Sequence, residues 1–77
     1  MLVTELAGHR CPLCNSAIGT GLKREATGWK VYAVCLDLDC GHDQRVGTIP
    51  LAAVEHTDQV FDRGEALVQR ALHADRA

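Results

Sequence analysis

Cys11-Pro12-Leu13-Cys14 and Cys35-Leu36-Asp37-Leu38-Asp39-Cys40, the latter followed by Gly41-His42, decide how this chain is read. The first is a C-x₂-C and the second a C-x₄-C, with twenty residues between them, and the chain has no other cysteine. Two close pairs joined by a hairpin-length spacer suit one tetrahedral site of four thiolates, the donor set of a structural Zn²⁺. Each pair can turn as a short knuckle that aims two sulfurs inward, while the spacer forms strands that bring the knuckles together. The spacing therefore predicts a small zinc-bound α+β fold in a single domain, residues 1–77. Within it, residues 9–49 make a zinc ribbon, a two- to three-stranded antiparallel sheet with two cysteine knuckles, and residues 50–77 a helical C-terminal extension.

The residues around the cysteines fit knuckles. Pro12 fixes φ directly after Cys11. Asn15, after Cys14, tolerates a left-handed backbone. Gly41, after Cys40, supplies the positive φ that closes the second turn. Backbone N–H groups in such turns can point at the sulfurs and stabilise thiolates. His9 and His42 each lie two residues from a cysteine and are the alternative ligands. Four thiolates already complete a tetrahedron, so neither is needed.

Outward from the cysteines, Trp29-Lys30-Val31-Tyr32-Ala33-Val34-Cys35 is the best strand in the chain. It is rich in aromatic and β-branched residues. Alternation places Trp29, Val31, Ala33 and Cys35 on one face and Lys30, Tyr32 and Val34 on the other. Ile18 to Thr27 reads as a strand and an exposed loop, with Gly28 marking the hairpin turn. Asp43 to Ile49 reads as the returning strand. Met1 to Leu6 is a short strand or a packed arm, interrupted at Ala7-Gly8.

Beyond Pro50 the period changes. Leu51 to His56 suits a helical turn, and Thr57 or Asp58 can cap a helix running to about Asp75. Val60, Leu67, Val68, Ala71 and Leu72 line one face of it. Gly64 argues for a later start at Asp62, with Glu65 completing a capping box, because Gly inside a helix costs about 1 kcal/mol.

Composition bounds the function. A chain of 77 residues with one Trp, one Tyr and one Phe buries a limited core. A structural metal would supply the missing stability, since zinc binding contributes about 10–16 kcal/mol in small peptides. No basic, apolar leader precedes the ribbon, and no stretch approaches the roughly 18 apolar residues of a membrane span. The expected location is the cytoplasm, where thiols stay reduced and paired cysteines act as metal ligands rather than as two disulfides. The formal charge is −2, which argues against a bulk-charge grip on phosphates. A local basic face remains open: Arg10, Lys23, Arg24, Lys30 and Arg45, with Trp29 and Tyr32 as stacking residues. The rival reading is a solvated surface with Trp29 packed on the helix. A closed four-thiolate site leaves no open metal position, and no nucleophile–base pattern, phosphate loop or small-molecule site is visible, so an enzyme is not expected.

The early Cys11-Pro12-Leu13-Cys14, the spacer length, Tyr32 three residues before Cys35 and the closing C-x₄-C together resemble the Ogr/Delta family of small phage zinc-finger proteins, over roughly residues 9–46. Members are short activators of phage late-gene transcription, held to bind promoter DNA and contact the host RNA polymerase. The resemblance implies that Cys11, Cys14, Cys35 and Cys40 are zinc ligands and that DNA or RNA polymerase is the partner. Two functions stand on this reading. One is a transcription regulator whose ribbon meets nucleic acid or polymerase. The other is a zinc-stapled adaptor that binds protein, or a second copy of itself, through the C-terminal helix.

Overall fold

The two faces expected of Trp29–Cys35 organise the whole molecule. In the computed structural model, residues 1–54 and 56–76 are described, with side chains left out at 57 and 74–76. Strand β3 (Gly28–Cys35) lies inside a four-stranded antiparallel sheet with β1 (Leu2–Arg10), β2 (Ala17–Arg24) and β4 (Asp43–Pro50), in the order β1-β2-β3-β4. A 3₁₀ turn at Leu51–Ala53 leads to helix α1 (Thr57–Arg76), which crosses one face of the sheet.

The sheet has one strand more than the predicted maximum of three, because residues 2–10 pair along β2. Leu2 lies opposite Leu22 and Thr4 opposite Thr20, so Leu2, Thr4 and Leu6 share the helix-facing side, and Leu6 is buried. Ala7-Gly8 does interrupt the regular pairing. The register shifts between Glu5 and Arg10, and Gly8 takes a φ of +82°. It makes an irregularity within the strand rather than its end.

The β2–β3 turn sits just before Gly28, with Ala26-Thr27 at its tip and the Glu25 N–H donating to the Gly28 carbonyl at 2.8 Å. Gly28 instead opens β3 opposite Pro50, where a Cβ would run into the Ile49 carbonyl oxygen. A bulge at Val46, between the Val31–Gly47 and Tyr32–Arg45 pairs, bends β4.

Helix α1 takes the earlier of the two possible starts. The Gln59 side chain reaches back to accept the His56 N–H at 3.4 Å, the half of a capping box that the later residue supplies, and the Gln59 N–H closes a backbone turn onto the His56 carbonyl at 3.1 Å. The Thr57 cap, like Glu55 before it, lies outside the described side chains. The objection raised by Gly64 disappears in the tertiary structure. Gly64 is buried where the helix crosses the sheet, and a Cβ there would sit 2.9 Å from Leu22 Cδ2 and 3.2 Å from Thr20 Cγ2.

One core results. Leu6, Ile18, Leu22, Val31, Ala33 and Ile49 of the sheet meet Val60, Val68 and Leu72 of α1, with Trp29, Phe61 and Leu67 partly buried around them. Full burial of such a side chain stabilises the fold by about 1.5–3 kcal/mol. The apolar stripe of α1 is therefore spent on the protein's own sheet. Among the described residues, no helix lies on the other face of the sheet.

Candidate metal centre

Both knuckles stand at the end of the sheet where β1 turns into β2 and β3 into β4. In the first, the Asn15 N–H donates to the Cys11 carbonyl and the Cys11 N–H to the Ser16 carbonyl, both at 2.8 Å. Asn15 has φ +62°, the left-handed residue that the turn requires. In the second, the Cys40 and Gly41 N–H groups both donate to the Asp37 carbonyl at 3.2 Å, and Gly41 has φ +61°. The Asp37 carboxylate accepts the Asp39 N–H at 2.9 Å, which explains how the wider x₄ loop holds its shape.

The fold then brings the pairs together. Cys35 ends β3 directly opposite Ile18 of β2, two residues beyond Ser16. The Cys35 N–H donates to the His42 carbonyl at 2.8 Å and the Leu36 N–H to the Ala17 carbonyl at 3.0 Å. The Ser16 hydroxyl lies 3.1 Å from Asp37 Oδ2, a side-chain link from one knuckle to the other. All four Sγ atoms lie within 4.8 Å of one another, with Cys11–Cys40 at 3.9 Å and Cys14–Cys35 at 3.4 Å. A tetrahedron with metal–sulfur bonds of 2.3 Å has sulfur–sulfur edges of about 3.8 Å, so these separations bracket a metal-sized gap. They far exceed the roughly 2.05 Å of a disulfide bond, and the four thiols are free.

Electrostatics points the same way. The Ser16 hydroxyl and the Ser16 N–H hold the Cys14 thiol down, to about 7. The single Ser16 hydroxyl proton serves either Cys14 or Asp37 at one time. The Asp37 N–H favours the Cys35 thiolate most strongly, but burial and the neighbouring thiols outweigh it and push Cys35 up to about 12. At Cys40 the His42 N–H is likewise overcome by the Cys14 sulfur and by burial, so its thiol is also raised. Four sulfurs this close cannot all ionise beside one another. A cation held among them would reverse that balance and favour all four as thiolates. In three of the four, an N–H two residues on aims at the sulfur, the pattern that supports a bound metal.

Among the described residues, only these four cysteines form a group able to hold a metal. His9 and His42 stay outside it; His42 serves through its backbone. Ser16 and Asp37 are the residues that sequence reading passes over. The only trace of their role is Asp37 two places before Asp39, the spacing of an aspartate-capped turn.

The basic and aromatic residues divide into three groups. Arg10 sits beside the first knuckle, with Nη1 3.5 Å from the Asn15 carbonyl oxygen. Arg24 and Trp29 pair at the hairpin end on the helix side, the guanidinium 5.4 Å from the ring centroid. Lys23, Lys30 and Arg45 lie with Tyr32 on the face that carries no helix. Among the described residues, no helix is long and apolar enough to cross a membrane. Compared with known proteins, the chain matches no family model, no curated protein and no solved structure.

Proposed function

We propose that the protein is a non-enzymatic zinc-ribbon domain that regulates transcription by contacting nucleic acid or RNA polymerase. The observation that carries the zinc-ribbon part of this reading is the closure of the cysteine cluster. Four thiols converge on one point with their knuckle N–H groups already aimed at sulfur, which leaves no vacant position for a metal-bound water or substrate. Cys11, Cys14, Cys35 and Cys40 would hold one Zn²⁺, which supplies a cross-link between the two turns. A soft, tetrahedral, all-sulfur set suits Zn²⁺ or iron. The chain's own part is to orient the thiolates and shield them, with Cys11 and Cys35 buried. The transcription reading is supported by the likeness to the Ogr/Delta pattern and by the basic residues gathered at Tyr32.

The test is metal content and nucleic-acid binding on the same sample. One colourless equivalent of zinc per chain is expected, whereas a red, iron-loaded protein refutes the assignment. The zinc-loaded protein should bind DNA or RNA with an affinity that falls as salt rises. Absence of binding at low salt refutes the nucleic-acid arm.

The adaptor reading is favoured by one feature. Leu13 and Leu38, at the tips of the two knuckles, are 70% and 97% exposed. Exposed leucines at adjacent tips suit a protein partner. Self-association of the zinc-loaded protein that survives high salt, is lost in Leu38→Ser and comes without binding of nucleic acid or polymerase would favour that reading.

A further inference from the structure

Three rungs cross the uncovered face of the sheet. Lys23, Lys30 and Thr48 form the one nearest the β2–β3 hairpin, and Val3, Gly21, Tyr32 and Arg45 the next. Glu5, Gly19, Val34 and Asp43 form the third, nearest the cysteines. Two features of the first two rungs mark this surface, a like-charge pair and a ring laid on an apolar bed. Lys23 and Lys30 stand directly opposite each other, and like charges so placed destabilise a sheet. Among the described residues, Lys30 alone of the two has an acidic partner, Glu25 at 3.3 Å. Tyr32, half-buried, has side-chain-free Gly21 beside it, and Met1 and Val34 close over that glycine as an apolar bed.

We infer that this face binds a single-stranded nucleic acid, with a base stacked on Tyr32 and phosphates on Lys23, Lys30 and Arg45. The inference rests on the nucleic-acid arm of the proposed function and names its ligand and its surface. An aromatic ring in the middle of a sheet, flanked by cations, needs an unpaired base; a duplex keeps its bases stacked inward and offers such a surface only phosphates. Lys23, Lys30 and Arg45 come from three adjacent strands, about 5 Å apart strand to strand, so the cations run across the sheet beside Tyr32 rather than along one strand. Glu5 and Asp43 repel phosphate on the third rung, so the strand crosses the hairpin end of the sheet and stays clear of the thiolates. Deoxyribose and ribose strands share this chemistry.

The test is fluorescence anisotropy of the zinc-loaded protein with labelled 12-mers: single-stranded DNA, single-stranded RNA and the duplex. Either single strand should bind at least about tenfold tighter than the duplex. Three phosphate contacts predict a slope of about −2 in log K against log salt. Tyr32→Leu should weaken single-strand binding by about 5- to 150-fold. Lys30→Ala should flatten the slope by about 0.7 without touching the stacking residue. Arg70→Ala, on the helix side, should change nothing. Circular dichroism and zinc content confirm that each variant is folded. Duplex binding at least as tight, indifferent to Tyr32→Leu and Lys30→Ala, overturns the inference and leaves the proposed function standing. No binding of any strand overturns the inference together with the nucleic-acid arm of the proposed function, and leaves only its polymerase arm.

Discussion

Gly64→Ala should destabilise this protein, although helix propensity alone says that it should help. In an exposed helix interior, alanine is better than glycine by about 1 kcal/mol. Here the added Cβ would lie 2.9 Å from Leu22 Cδ2, 3.2 Å from Thr20 Cγ2 and 3.7 Å from Val31 Cγ1. Carbon atoms prefer about 3.5–4 Å, so the first two contacts fall short by several tenths of an ångström. Leu22, Thr20 and Val31 are all fully buried in the sheet and have little room to give. Overpacking of this kind costs about 1–3 kcal/mol. Set against the propensity gain, the net loss should be about 1 kcal/mol, or roughly 4–8 °C in Tm for a domain of this size. Ala66→Gly, at an exposed position two residues on, is the control and should lose about 1 kcal/mol through propensity alone. The assay is thermal and urea unfolding of the metal-saturated protein by circular dichroism. A rise in Tm for Gly64→Ala would refute the close helix–sheet crossing and return Gly64 to an ordinary helix position.

The remaining predictions concern the centre and the core. Asp37→Ala removes both the Asp39 turn bond and the Ser16 link between knuckles, so competition with a chelator should show metal affinity about 10- to 100-fold weaker with all four thiols present. Metal affinity should fall with falling pH, because Cys35 at about 12 and the raised Cys40 each shed a proton on loading. The slope of log affinity against pH should be at least about 2, and it should steepen below pH 7 as Cys14, at about 7, also becomes protonated; a flat profile from pH 6 to 8 would contradict the thiol assignment. Thr20→Val should raise stability by about 1 kcal/mol in urea unfolding, since the buried Thr20 hydroxyl has no hydrogen-bond partner among the described residues and valine fills the same space. A loss of stability there would mean that the hydroxyl has a partner, such as a buried water shared with Thr4.

Much of the centre was legible because its chemistry is local. The spacing of Cys11, Cys14, Cys35 and Cys40 implies two turns, and Asn15 and Gly41 supply the positive φ values that those turns demand. The faces of Trp29–Cys35 follow from the two-residue period of a strand, and the stripe on α1 from the helical one. The third dimension decided what depends on partners far away in the chain. Nothing in Met1–Arg10 announces a full edge strand, because its pairing with β2 is a matter of register between separate segments. Gly64 reads as a defect until Leu22 and Thr20 are beneath it. The link from Ser16 to Asp37 exists only once the knuckles meet. Cross-strand pairing likewise sorted the basic residues, sending Arg24 with Trp29 to the helix side and Lys23, Lys30 and Arg45 to Tyr32 on the other. Turn chemistry and periodicity are properties of neighbours in sequence, whereas close approach and shared faces are properties of neighbours in space.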